Sequence, residues 1–295
     1  MILCILHLYY KEQLPMMMRR LDNITQPFDL CVTICENDDA MIKKIKNRYP
    51  NAKIIKLGNR GYDIYPFLVA LDAMGIEKYD FVVKLHTKRD YPVHYYFYPH
   101  PMFGARWRKA ITSFVQSKTH FNRCMEAFAK DKKLGIQADF RVIMNRAQAE
   151  RSDRHTYAMC MKYLGELFPK LSTRKKLNFV AGTMFVARTE ALIGMARINL
   201  HKEDFPDGRK MKRLRVGSIA HCMERFIGFY ACAAGFKVAD EFHSPTEHFF
   251  INLRAQLYYN TIRPILILIR KRVIVNMRDK TIRWLPPAPK KIVYS

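Results

Sequence analysis

The sequence predicts an α/β fold, a mostly parallel sheet covered by helices. Two observations lead there. Apolar, β-branched runs of strand length recur through residues 2–85, and stretches with a helical apolar face separate them. The chain also has enough material for such a core: 295 residues, 49% hydrophobic and 26% charged, well outside disordered compositions.

Residues 2–9 read as a strand and 11–23 as a helix. The run Phe28 to Cys35 is a second strand. Asn37-Asp38-Asp39 can cap the next helix, whose apolar face holds Met41, Ile42, Ile45 and Tyr49. Pro50-Asn51 turns the chain into a third strand, Ala52 to Leu57. A loop with two glycines runs from Gly58 to Pro66, whose proline suits a first helical turn, and a helix continues over 67–74. Tyr79 to Leu85 is the fourth strand. This β-α-β-α-β-α-β order argues for a parallel sheet, and ligands of such sheets bind beyond the carboxyl ends of the strands. The loops 59–63 and 86–89 are therefore the ones to examine. Residues 91–103 read as irregular; helices follow near 106–116, 119–130 and 146–168, then a strand over 178–187. A basic loop spans 201–216, a helix 218–234 and a short strand 236–239. We expect a globular domain over 1–250 and a basic extension over 251–295.

The formal net charge is +25, from 51 Lys and Arg against 26 Asp and Glu. Such a balance favours anionic partners: nucleic acid, acidic lipid or phosphate-bearing substrates. The seven cysteines are scattered without zinc-knuckle spacing, which suits free thiols in a reducing compartment. Met1 to Tyr10 has no basic start and no cleavage site, so it reads as a buried strand, and no run reaches the ~18 apolar residues of a spanning helix. A cytoplasmic protein, peripheral on the inner face of the cell membrane, is the expectation. Patterns for serine hydrolases, zinc hydrolases and P-loops are absent from the sequence.

Four constellations can carry chemistry. Asn59-Arg60-Gly61-Tyr62-Asp63 opens a helix, where free N–H groups favour anions; taken alone, a plain turn with Asp63 as cap is the simpler reading. Lys84-Leu85-His86-Thr87-Lys88-Arg89 sits at a strand's carboxyl end, and alternation sets Lys84 and His86 on one face. It can receive a diphosphate, with Lys and Arg in place of a divalent cation, or it is a solvated basic turn. Gly182 and Thr183 lie inside a predicted strand, where glycine marks close approach of a ligand or of packed backbone. On the helix 218–234, Glu224 falls at the edge of the apolar face, where partial desolvation raises a carboxyl pKa and suits a general base; His221 and Arg225 flank it. A surface Glu–Arg pair is the alternative.

Taken in order, these segments resemble the rhamnan synthesis F family of bacterial polysaccharide biosynthesis. The matching stretches are Asn59 to Phe67, Asp80 to Arg89, Trp107-Arg108, Ala181 to Phe185, Ala220 to Arg225 and Ala234 to Lys237. The resemblance covers roughly 1–245 and departs in the basic segment 208–215 and at Gly217-Ser218. It implies a GT-A-like, Rossmann-like glycosyltransferase acting on a nucleotide sugar, with no cofactor. The place where such enzymes carry a metal-binding Asp-x-Asp reads His86-Thr87-Lys88 here, so the resemblance implies a metal-free site. By the same analogy Glu224 is the catalytic base of an inverting transfer. Lys88, Arg89 and Arg60 stabilise the leaving diphosphate, and His86 and Thr87 bind donor oxygens. Asn59, Gly61 and Asp63 fix the nucleotide or sugar, and Gly182 and Thr183 line the donor sugar. The acceptor is a glycan or lipid-linked glycan, and the basic segments 208–215 and 254–283 are candidates for an anionic membrane surface. A catalytically silent scaffold and a nucleic-acid-binding protein are the competing readings; no known nucleic-acid module supports the latter.

Overall fold

The computed structural model describes residues 1–88, 105–198, 200–207, 218–262, 265, 273–276 and 281–284. The chain forms two compact units, Met1–His243 and Ser244–Ser295. The expected boundary at 250 falls inside a helix of the second unit.

The first unit is built on a seven-stranded sheet. Its strands are β1 (Ile2–Leu8), β2 (Phe28–Ile34), β3 (Lys53–Lys56), β4 (Phe81–His86), β5 (Leu134–Gln137), β8 (Phe185–Arg188) and β9 (Lys237–Ala239). Their order in space is β3-β2-β1-β4-β8-β5-β9. The first four run parallel, which explains why every residue of β1 is buried: helices cover both faces. β8 runs against both β4 and β5, and β9 is parallel to β5. The carboxyl ends of β1, β4, β5 and β9 therefore share one edge. This is the mostly parallel, helix-covered α/β sheet expected from the sequence.

The helices of this unit are α1 (Leu14–Leu21), α2 (Asp39–Arg48), α3 (Ile64–Met74), α4 (Ala105–Ile111), α5 (Lys118–Lys130), α6 (Arg146–Ser152), α7 (Arg154–Leu167) and α8 (Ile219–Ala233). Asp38 caps α2 by accepting the Met41 N–H. The helix expected over 146–168 is two helices. Asp153 takes an extended conformation and caps α7 by accepting from Thr156.

The strand expected over 178–187 is likewise two. β7 (Asn178–Val180) pairs with β6 (Ile143–Asn145) in a small separate ladder, while β8 joins the main sheet. Between them Gly182 and Thr183 have φ of +82° and +46°, a left-handed pair no strand can continue through. The Thr183 N–H closes the turn on the Val180 carbonyl.

The second unit holds α9 (Pro245–Leu257), capped by a reciprocal Ser244–Glu247 box, and a hairpin of β10 (Val273–Asn276) with β11 (Thr281–Trp284). Among the described residues no helix is long and apolar enough to cross a membrane.

Candidate active site

The parallel register lines up a polar row across three strands. Thr33 of β2 faces His7 of β1, and His7 faces His86 of β4. All three side chains are buried near the carboxyl edge. His7 Nδ1 lies 3.0 Å from Thr33 Oγ1. Burial drives the His7 pKa down to about 4, against the pull of Asp63, so its ring is neutral near pH 7. His86 is deeper in the same field. Burial holds its pKa well below the usual histidine value, and Lys84, Lys88 and His7 reinforce this against Asp63.

Below the row sits an ion pair. Lys84 is 1% exposed, and its ammonium donates to Asp63 Oδ2 at 2.5 Å, Thr183 O at 2.9 Å and Thr183 Oγ1 at 3.0 Å. Thr183 Oγ1 in turn donates to Asp63 Oδ2 at 2.5 Å. Three N–H bonds meet three acceptors, so this cation is satisfied within the protein. Burial opposes an ionised Asp63, but His86, Lys84 and Lys88 overcome it and hold the carboxyl well below its ordinary range. Burial lowers the Lys84 pKa, and Asp63 only partly restores it.

His86 Nδ1 approaches the same Asp63 oxygen at 3.4 Å, and among the described residues neither ring nitrogen of His86 has a hydrogen-bond partner. A buried neutral imidazole with its donor and acceptor unmatched costs ~1–3 kcal/mol per group. A ligand able to pair with it recovers that cost.

Two strained turns flank the cluster. Gly61 and Tyr62 have φ of +63° and +55°, and Gly182 and Thr183 form the second left-handed pair. A Cβ on Gly182 would stand 3.1 Å from the Trp107 ring, so the turn packs tightly on α4. This Gly182 N–H donates to Glu224 Oε1 at 2.7 Å. Glu224 is half-buried on the second turn of α8, as its edge-of-face position suggested. One helical turn earlier, His221 Nδ1 lies 2.9 Å from the Ser218 cap hydroxyl, and its ring packs on Tyr62 at 5.4 Å.

The structure thus brings Asp63, Lys84, His86, Thr183, Gly182, Glu224 and His221 into one neighbourhood. Other expected site residues are engaged elsewhere. Arg60 Nη1 donates to the carbonyls of Lys202 and Phe205 and clamps that loop. Thr87 faces the opposite side of β4, where its Oγ1 accepts the N–H groups of Tyr9 and Tyr10 and fixes the turn after β1. Arg225 does not pair with Glu224; it donates to His221 O and Ser152 Oγ and lies over Phe179. Asn59 Nδ2 reaches Tyr9 Oη at 3.4 Å. Lys88 belongs with the cluster: Gln13 accepts from its N–H and donates to its carbonyl, and its charge acts on Asp63 and His86. Arg89, the irregular segment 91–103 and the basic segment 208–215 lie outside the described residues.

His7, Thr33 and Tyr62 were not among the expected site residues. A signal for His7 exists: it is the one polar side chain in the run Ile2 to Leu8, near the strand's carboxyl end. Thr33 and Tyr62 become visible only through register and backbone angles.

The Asp63 oxygen that faces the cluster takes an ammonium, and Glu224 Oε1 takes an N–H. The arrangement offers a neutral imidazole for hydrogen bonding, a half-exposed carboxylate for proton transfer and the Lys88 charge for an anion.

The family model described as Rhamnan synthesis protein F matches residues 1–236. Two curated relatives, both called Uncharacterized protein WxcX, come from Xanthomonas campestris pv. campestris strains B100 and ATCC 33913. Each is 26% identical over 237 residues, covering 79% of this chain and 32% of the relative. The chain thus spans about a third of the length of the curated relatives it matches. Among solved structures, S. aureus TarS 1-349 aligns over 85% of this chain and 62% of its own, at 12% identity and a TM-score of 0.41. Its complex with UDP aligns over the same shares at 13% identity and a TM-score of 0.42.

Proposed function

Because the chain belongs to the rhamnan synthesis protein F family, we propose that it is a glycosyltransferase of cell-surface polysaccharide assembly. It moves a sugar, rhamnose first among the candidates, from a nucleoside diphosphate donor to a hydroxyl of a glycan or lipid-linked glycan. The observation that carries this reading is the buried Asp63–Lys84–Thr183–His86 cluster at the carboxyl edge, with Glu224 on the adjoining turn.

In this reading Glu224 takes the acceptor proton, and its bond from Gly182 aims the carboxylate. Lys88 faces the diphosphate, where charge grows as the glycosidic bond breaks. Arg89, next in sequence, is the second cation proposed for the diphosphate. His86 does not suit the diphosphate, because a neutral ring needs a partner that both donates and accepts. A donor hydroxyl meets that requirement. Lys84 holds Asp63 and the Gly182–Thr183 turn in place and leaves binding to others. In this reading the transfer runs without a metal, and the Lys88 charge takes the cation's part at the diphosphate. The product stereochemistry is inverted, with Glu224 as the single base.

Calorimetric titration tests this, with dTDP-rhamnose first and other nucleoside diphosphate sugars after it, with and without EDTA. Binding should survive EDTA and weaken about tenfold in Lys88→Ala. Glu224→Gln should keep donor binding and lose ~10²–10⁴-fold in transfer rate. Binding that requires Mg²⁺ or Mn²⁺ would overturn the metal-free site. Failure of every nucleotide sugar to bind would overturn the transferase reading.

A further inference from the structure

Helix α9 inverts the usual order of a surface helix. At ~100° per residue, Phe249, Leu253, Leu257 and Phe250 fall within one arc of about 100°. These four side chains face solvent: Phe249 is 61% exposed, Phe250 52%, Leu253 36% and Leu257 53%. The phenylalanine rings touch each other, with centroids 5.5 Å apart. On the opposite side of the same helix Ala255 is buried, as is Tyr258 just beyond its end. Ile262 and Ile265 continue the exposed apolar series. A contiguous apolar arc of this kind marks an interaction surface.

Charge identifies the partner. Residues 244–295 hold ten Lys and Arg against two Asp and Glu. A second copy of a +25 chain meets this surface with like charge, which opposes docking. An anionic bilayer satisfies both properties at once: acyl chains take the apolar arc and headgroups take the cations. Among the described residues no helix is long and apolar enough to cross a membrane, so α9 fits the interface rather than the hydrocarbon core.

We propose that α9 is an interfacial anchor, inserting Phe249, Phe250, Leu253 and Leu257 into an anionic membrane surface. This goes beyond sugar transfer and does not depend on it.

The full chain is sedimented with vesicles of phosphatidylcholine alone and of phosphatidylcholine with about one third phosphatidylglycerol. The anionic vesicles should bind it at low salt, and about tenfold more strongly than the neutral ones. Phe249→Ser with Leu253→Ser should lower the partition coefficient about tenfold or more, with an unchanged thermal midpoint because both side chains are exposed. In Phe249→Trp, indole emission should shift to the blue on anionic vesicles. Undiminished binding by the double variant would mean attraction by charge alone and overturn the insertion. So would absence of binding to either vesicle, or a wild-type dimer that the double variant disperses.

Discussion

A lysine cut off from solvent must find its acceptors inside the protein, and Lys84 finds three from two residues, Asp63 and Thr183. This makes Lys84 a positioning residue: it fixes the Asp63 carboxylate and the left-handed Thr183 backbone against each other. Removing it should expose the cost. In Lys84→Met, Asp63 becomes a buried carboxylate with its cation gone, which we expect to destabilise the fold by ~3–5 kcal/mol. Adding Asp63→Asn to that variant removes the orphaned charge and should recover much of the loss. Urea unfolding of the two variants checks this. A Lys84→Met protein as stable as wild type would mean that the pair does not carry charge in the fold.

At the scale of elements, the site depends on how closely α8 lies against β7. A Cβ on Gly228 would stand 2.4 Å from the Asn178 carbonyl oxygen and 2.5 Å from Phe179 Cα, both backbone atoms that a rotamer change cannot move. Gly228→Ala should therefore push α8 outward, costing ~1–3 kcal/mol. The displacement should also lengthen the Glu224–Gly182 bond, since Glu224 rides one turn away on the same helix. Gly165 on α7 is the contrast: nothing lies near its Cβ position, and Gly165→Ala should stabilise by ~0.5–1 kcal/mol. Denaturant midpoints of the two variants should move in opposite directions. Elements of this kind were unevenly legible in the sequence. β1, β2 and β4 were visible because strands largely buried on both faces read as apolar runs, and β3 because its Ile54-Ile55 pair follows a turn signal. β5 and β6 are four and three residues long, too short to show a period. The break between β7 and β8 was hidden because only backbone angles at Gly182 and Thr183 reveal it. The site followed the same division. Alternation along β4 put Lys84 and His86 together, but their partners lie far off in the chain. Thr183 is 99 residues from Lys84, and Thr33 is 26 from His7. Such pairs are decided by strand register and packing, which a single sequence does not display.

For the molecule as a whole, these buried groups set how stability responds to acid. In the folded state His7 titrates near pH 4 and His86 well below its usual value, while in the unfolded chain both titrate near 6.5. Between those limits the unfolded state binds more protons, so stability must fall as pH drops below about 6.5. A histidine held at about 4 in the folded state, as His7 is, removes ~3 kcal/mol by pH 4. The carboxylates act lower. Asp63 and Asp139 have depressed folded-state pKa values, so their contribution is present above about pH 4 and is lost only as pH falls further. The net charge of +25 adds to the histidine trend, because each new proton meets an already positive molecule. Two stages of acid loss should therefore appear in urea unfolding free energies measured from pH 8 to 3. His7→Asn, which keeps a polar partner for Thr33 but does not titrate, should reduce the slope between pH 6.5 and 4 by about one proton and leave the lower stage intact. A slope unchanged in that variant would mean that His7 takes up its proton in the folded state, and the neutral polar row across β2, β1 and β4 would be wrong.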